Sequence, residues 1–404
     1  MPGPSILIVN QHGENRGDEA ALRAMLHGFR ERLVDPHFTV LLEVRDRQLP
    51  LDLGDDVEVL HELDLLPGAA GLALLALGLR VRRLLPGTAG RLADAYERAD
   101  LVVSAPGGPY FGDGYWRNEP VHWFLAWLGV RRRKPVFYYA PSAGPFRLRL
   151  LNPVRRALFR RLARPLAVRE ERSAVHLREL LGPAAPVEVT ADSALQRRLP
   201  PAPREDGDDR FVVAVSALRW RWPGHPDPDG AQAAYDAAVV AGLAHLADRR
   251  PDAHLRFFPQ LYGARHSDVP YLRSLAERLP AGTSWEVVDP GLDSDGQQRL
   301  LGASDLVLAG RYHPQVFAVA AGVPGVCVAY EHKARGLMEA VGLGDLVIDA
   351  ATVTPAGLAK AFDRVLDERD AIAARLREAA AHLERRSART TTMAVAAMRA
   401  GGRR

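Results

Sequence analysis

Short apolar runs bounded by polar and turn residues recur along this chain, separated by longer stretches whose apolar residues return every three to four positions. The first pattern predicts buried β-strands and the second amphipathic helices. Residues 5–10 (SILIVN) form the first strand, followed by the loop QHGENRGDEA and a helix over 19–33. Strands are expected at 38–44, 57–60 and 101–104, with an apolar helix around 69–86. A helix over 120–130, the strand PVFYYAP, an arginine-bearing helix, the strand LAVRE, the helix ERSAVHLRELLG and a strand at 187–190 complete a first half. Residues 199–209 (LPPAPREDGDD) carry proline, glycine and charge without apolar periodicity, as a linker does. The pattern then restarts. Strands at 211–216, 254–259, 284–288, 305–309, 325–330 and 345–348 alternate with helices near 231–249, 269–279, 295–302, 314–321, 333–341 and 355–368. Such alternation predicts α/β architecture with parallel, doubly wound sheets. The expected domains are residues 1–200, a linker at 201–210, a second Rossmann-like domain at 211–385, and a C-terminal helix with a frayed tail at 386–404. The helical run begins near 369, so it can return to the first domain.

Length and composition fit this picture. A chain of 404 residues is long for one core, and 47% hydrophobic with 25% charged residues supplies two. The net charge is only +4, and lysine occurs at Lys134, Lys333 and Lys360 alone, so nearly all basic charge is arginine. Arginine is a habit of the whole chain, which weakens any one cluster as a sign of function. With so small a net charge and no recognition motif, a nucleic-acid partner is the least supported. The single Cys327 lies in an apolar strand, can form no intrachain disulfide and is expected as a buried small hydrophobe, compatible with a reducing, cytoplasmic setting. The N-terminal residues lack the basic and apolar regions of a secretion signal. The most apolar stretch, residues 68–79, is short against the about 20 residues of a spanning helix and reads as a core or interfacial helix. The three-to-five-residue spacing of Arg155, Arg156, Arg160, Arg161 and Arg164 puts several of them on one helix face, either merely solvated or able to meet a lipid diphosphate or another polyanion as a peripheral membrane contact. No metal-ligand spacing stands out, and His225 and Asp227 read as turn formers.

The densest chemistry lies at predicted strand tips. After the strand at 305–309 come Arg311, Tyr312 and His313, with Pro314 in the first helical turn. A guanidinium and an imidazole at a helix N-terminus make a ready anion site. The neighbouring strand tip carries Tyr330, Glu331, His332 and Lys333, so both would face the rim where open α/β sheets bind ligands. In the first loop Gly13 and Gly17 permit close backbone approach, and Asp18 is placed to cap the helix. The loop APGGPYFGDGYW interleaves Gly107, Gly108, Gly112 and Gly114 with Tyr110, Phe111, Tyr115 and Trp116, a composition that can cradle an anion and stack on a sugar. Arg169 stands at another strand end, where it can bind a ligand or pair with Glu170 or Glu171 in solvent.

Residues 310–338 (GRYHPQVFAVAAGVPGVCVAYEHKARGLM) closely resemble the C-terminal signature of the polysaccharide pyruvyl transferase family. Asn15, Gly17, Asp18 and Glu19 match its N-x-G-D-E loop, and Ser142, Gly144 and Pro145 and the Ala191-Asp192-Ser193-Ala194 tip resemble family turns. Arg169 to Ser173 (R-E-x-x-S) resembles the family's phosphoenolpyruvate-binding segment, while Gly107-Gly108-Pro109 departs from its glycine triplet. The resemblance implies two Rossmann-like domains facing a cleft, the GT-B-like arrangement, and transfer of pyruvate from phosphoenolpyruvate onto two hydroxyls of a sugar as a ketal. It implies Arg169 and Arg311 on the donor's carboxylate and phosphate, and His313 as acid or base. Tyr312, Lys333 and Tyr330 would contact donor or acceptor, and Asn15, Gly17, Asp18, Gly107, Gly108, Tyr110 and Ser142 would be loop contacts. Phosphoenolpyruvate would be a co-substrate without further cofactor or metal, and the acceptor a sugar, glycan or lipid-linked glycan met in the cytoplasm or at the inner face of the membrane. Two alternatives stand beside it: a GT-B glycosyltransferase whose Arg311 and Lys333 hold a nucleotide diphosphate, and a non-catalytic relative that binds anions or a membrane surface.

Overall fold

The structure, a computed structural model, describes residues 3–43, 51–61, 87–108, 111–115, 118–204, 209–263 and 267–402. The helix expected around 69–86, together with Tyr110 and Trp116, lies outside the described residues. The chain divides into two compact units: Met1–Glu14, Asp18–Arg197 and Glu384–Arg404 form one, and Asn15–Gly17 with Arg198–Leu383 the other.

In the first unit β1 (Ser5–His12), β2 (His37–Glu43), β3 (Val57–His61), β4 (Leu101–Ser104) and β5 (Val136–Tyr138) lie parallel in the order β3-β2-β1-β4-β5. A parallel bridge from Tyr139 to Ala167 leads on to β6 (Leu166–Val168), which pairs in parallel with β7 (Val187–Val189). The reason β1 reads as an unbroken apolar run is that both its faces are covered. Ile6 and Ile8 join one core with Phe29 and Phe38, while Leu7 and Val9 join another with Tyr96 and Val102.

The second unit repeats the plan with β8 (Phe211–Ser216), β9 (Ala253–Phe257), β10 (Ser284–Val287), β11 (Leu306–Ala309), β12 (Gly325–Ala329) and β13 (Val347–Asp349). All six are parallel, in the order β10-β9-β8-β11-β12-β13, so the expected α/β class with Rossmann-like doubly wound sheets is present. Asp227, Asp293 and Thr354 start three of its helices by accepting the backbone N–H of Gly230, Gly296 and Gly357 at 2.9, 2.8 and 3.1 Å. The C-terminal helix spans Arg369–Gly401. Its later turns pack in the first unit through a buried polar seam: Ser387 Oγ donates to Asp192 O at 2.7 Å, and Thr391 Oγ1 to Gln196 Oε1 at 2.8 Å.

Two local expectations are corrected. The first helix spans Arg16–Arg30, and it is Asn15 that caps it, accepting the Gly17 N–H at 2.9 Å. Asp18 sits inside the first turn instead, where its negative charge suits the helix dipole. The arginine row is split rather than carried on one helix face: its helix is only Asn152–Phe159 and Arg155 is fully buried, while Arg160, Arg161 and Arg164 follow the helix and are exposed. Arg155 reaches Glu119, also fully buried, with two bonds at 2.9 and 2.6 Å, and Asp113 at 3.0 Å. Two large apolar side chains near that helix are exposed as well, Leu150 at 94% and Val154 at 51%. Among the described residues no helix is long and apolar enough to cross a membrane.

Cys327 is buried as expected, its thiol pushed up to about 12 by burial and donating to Gln315 Oε1 at 2.9 Å. It is expected to resist thiol reagents at pH 8 in the folded protein and to react with one equivalent after denaturation, read by a chromogenic disulfide. Removing the carboxylate that takes two bonds from the buried Arg155 would leave it to Asp113 and Asn152, so Glu119→Ala is expected to lower stability by about 3–5 kcal/mol in urea titration; a loss below about 1 kcal/mol would show that Asp113 and entering water suffice.

Candidate functional site

In the second unit the strand order reverses between β8 and β11, and the loops after these strands diverge at the sheet's carboxyl edge. The tip of β11 is drawn tightly onto β8: Gly310 N–H donates to Ser216 O at 2.5 Å, and a Cβ on Gly310 would stand 2.6 Å from both Ser216 O and the Tyr235 hydroxyl. Only glycine fits there, and this sharp exit sets where the next residues go. Arg311 follows in extended backbone as the N-cap of the helix Tyr312–Ala321, making no side-chain cap bond. Its guanidinium is instead held by Asp268, whose other oxygen accepts the backbone N–H groups of Gln260 and Leu261 at 3.1 and 2.9 Å. Arg311 Nε has no hydrogen-bond partner among the described residues. Burial pushes the phenols of Tyr235 and Tyr271 up, so these neighbours stay neutral at working pH.

β12 runs beside β11, so the helix His332–Ala340 starts next to the helix Tyr312–Ala321. Lys333 Nζ pairs with Glu331 at 2.8 Å and lies 5.4 Å from the Tyr312 ring centre and 5.9 Å from that of Tyr330. The His313 ring packs 5.2 Å from Tyr312 and 6.2 Å from Phe317. Asn15–Gly17 belong to this unit: Asn15 bridges to Leu261, the Arg16 guanidinium lies 3.7 Å over the Tyr262 ring, and a Cβ on Gly17 would stand 1.8 Å from His313 Nδ1. The structure thus brings Asn15, Gly17, Arg311, Tyr312, His313, Tyr330 and Lys333 into one unit, by way of two strand tips and a glycine contact. Sequence reading missed Asp268, which anchors Arg311, and Trp220, whose ring stands 4.6 Å from Tyr330. Trp220 lies just beyond β8, on the other side of the strand reversal, and that position in an α/β sheet was the available signal.

The remaining candidates belong to the first unit. Arg169, at the end of β6, is buried rather than pairing in solvent. It donates to Asp192 Oδ2 at 2.7 Å, to Ser142 Oγ at 2.9 Å and to Glu170 Oε2 at 3.3 Å. Ser142 Oγ in turn donates to Glu170 at 3.1 Å, and its backbone N–H to Gly107 O at 3.4 Å. Arg169, Ser142 and Gly107 are therefore one cluster, with Gly108 beside it and Asp18 buried on the first helix. Tyr110 is outside the described residues.

Comparison with known proteins agrees with the signature. The sequence profile of the polysaccharide pyruvyl transferase family matches residues 15–332. The amylovoran biosynthesis protein AmsJ of Erwinia amylovora is 22% identical over 409 residues, covering 91% of this chain and 93% of that one. Among solved structures, MnaA of S. aureus with UDP matches at a TM-score of 0.58 and 13% identity, covering 93% of this chain and 91% of that one. The UDP-GlcNAc 2-epimerase of Neisseria meningitidis bound to UDP-GlcNAc matches at 0.57 and 11%, covering 92% and 94%. At such identities these structures show the shared fold, GT-B-like with two Rossmann-like domains, and the profile match over most of the chain decides the kinship: the protein belongs to the polysaccharide pyruvyl transferase family.

Proposed function

We propose that this transferase moves pyruvate from phosphoenolpyruvate to two hydroxyls of a glycan as a ketal, and that its second unit holds the donor. The observation that carries this reading is the pair of adjacent helix N-termini bearing Arg311 and Lys333, with His313 between aromatic rings beside them. Two helix ends and two cations suit a small ligand with both a phosphate and a carboxylate. Asp268 fixes the plane of Arg311, whose side chain keeps 16% exposure. Lys333 would exchange Glu331 for a phosphate oxygen. Arg169 enters less directly: its guanidinium already serves Asp192, Glu170 and Ser142, so its role is to shape the Ser142 turn.

In the proposed reaction the methylene carbon of phosphoenolpyruvate takes a proton and a first acceptor hydroxyl adds to the neighbouring carbon. The carbon–oxygen bond to phosphate then breaks, and a second hydroxyl closes the ketal. Of the two hydroxyl protons released, one balances the methyl group formed and the other leaves on phosphate. His313 is the proton carrier in this scheme, since imidazole exchanges protons near neutrality. Arg311 and the helix N–H groups stabilise the departing phosphate. A coarser rival has an observation of its own, the nucleotide-sugar complex of a structural neighbour: the same cations would then hold a nucleotide diphosphate.

Calorimetric titration separates the two. Phosphoenolpyruvate is expected to bind the wild type and at least about tenfold more weakly to Arg311→Ala, the loss of about 1.5–3 kcal/mol for a charged hydrogen bond. Binding of UDP with none of phosphoenolpyruvate would overturn the pyruvyl reading in favour of a nucleotide-sugar enzyme. His313→Ala is expected to cut turnover about 100-fold or more at little cost in donor affinity. Gly17→Ala cannot keep the His313 ring in place and is expected to reach a similar loss in a folded protein; near-normal turnover in both variants would remove His313 from the chemistry.

A further inference from the structure

In the first unit, we infer that His12, Glu43 and His122 form a binding site for a divalent transition-metal ion of the zinc class. The three lie far apart in the sequence, and no ligand spacing announces them. The sheet brings them together. His12 ends β1 and Glu43 ends β2, and the parallel register sets these two residues directly beside each other at the carboxyl edge. The pairing depends on an irregularity: Ile8 pairs with Val40 but Gln11 with Leu42, so β1 spends one extra residue between them. Asn10 lies in that stretch with a positive φ of 62°, a conformation an asparagine tolerates better than most residues. Such bulges re-aim side chains next to functional sites. Asn10 also fixes the third member, because its Nδ2 donates to the backbone oxygen of His122 at 3.4 Å and to Ser104 Oγ at 3.0 Å. The residue that re-registers the strand therefore also holds the helix Glu119–Arg131, which carries His122 in its first turn.

The donor atoms are spaced for one ion. His12 Nε2 is 3.2 Å and His122 Nε2 3.8 Å from Glu43 Oε2, and all three ligand atoms lie within 4.8 Å of one another. Ligands about 2.0–2.1 Å from a tetrahedral zinc stand about 3.3 Å apart, so sub-ångström to ångström movements complete the set. His122 is 3% exposed on its side chain, whereas His12 and Glu43 are 26% and 29% exposed, so the site has a preformed inner wall and an approach from solvent. Two imidazoles and one carboxylate select zinc, cobalt or iron over magnesium or calcium, which prefer oxygen ligands. Three protein ligands leave a position open for water or a substrate oxygen. This site is independent of the donor site proposed above, since none of its residues takes part there.

The test uses the full chain, stripped with a chelator, dialysed and titrated with cobalt(II). One equivalent is expected to bind with the visible bands of a four- or five-coordinate nitrogen and oxygen site, and to be displaced by zinc. His12→Ala and Glu43→Gln alter half-exposed groups and are expected to weaken binding on the order of 100-fold or more, since even outer-shell changes cost 10–100-fold. His225→Ala, on an exposed loop, is expected to change nothing. Zinc should raise the melting temperature of the wild type and of His225→Ala but not of the two site variants. A readout that needs no variant is pulsed electron paramagnetic resonance of the copper(II)-loaded wild type, which should report two coordinated imidazoles. Failure of the wild type to retain any of these ions would overturn the site in favour of a hydrogen-bonded His–Glu–His contact. Tight binding unaltered by both site variants would place the ion elsewhere and overturn it equally.

Discussion

A parallel sheet that starts at its centre and grows first to one side and then to the other has to splay a pair of neighbouring loops at its carboxyl edge. Both sheets here are built that way, reversing beside β1 and beside β8. Parallel pairing forces each connection to cross over a face, so both faces are buried and only the strand ends remain for chemistry. The candidate side chains follow this constraint. Arg311 and His313 leave β11, Lys333 leaves β12, His12 ends β1 and Glu43 ends β2. The constraint also explains the glycine at 310: the strand must turn off the sheet where β8 is so near that a side chain would collide with backbone oxygen.

What is legible in the sequence is what is local in it. A strand covered on both faces is an unbroken apolar run, so the central strands β8, β11 and β12 can be read to within a residue, whereas the edge strands β10 and β13 are partly exposed. The junction of β11 with its helix is legible too, because Arg311, His313 and Pro314 are neighbours in the chain. Interactions made across the fold are not. Helical spacing locates Arg155 but cannot tell that Glu119, on another helix, receives it, and so a buried bidentate pair reads as a stretch of solvated face. The cap of the first helix is misplaced by three residues because Asn15 and Asp18 are both good capping types, and only the backbone turn decides between them. Asp268 and Trp220 escape notice for the same reason: each matters through a partner that sheet order, not sequence distance, brings near.

The abundance of arginine hides the few guanidiniums that matter. Arg155, Arg169 and Arg311 each meet a carboxylate inside the protein. A buried pair of this kind mainly offsets its own desolvation. The difference lies in what is left over. Arg155 is sealed and its three nitrogens are engaged by Glu119, Asp113 and Asn152, and Arg169 is nearly as enclosed, whereas the Arg311 side chain keeps 16% exposure and its buried Nε has no hydrogen-bond partner among the described residues. Counting arginines in the sequence cannot make that distinction; counting donors in the fold does.

The same pairing bears on selectivity. Arg311 with Asp268, and Lys333 with Glu331, are each close to neutral as pairs, so the rim does not present two bare charges to any passing anion. On the proposed donor reading, a ligand would have to draw Lys333 away from Glu331 and to meet Arg311 in the orientation that Asp268 imposes. A monovalent anion gains too little for that exchange. A compact ligand carrying a carboxylate and a phosphate would, in the proposed site, engage both helix ends, and its second contact would be made at high effective concentration. On that reading the carboxylates are no contradiction: they would lower the affinity for simple anions more than for a doubly charged one.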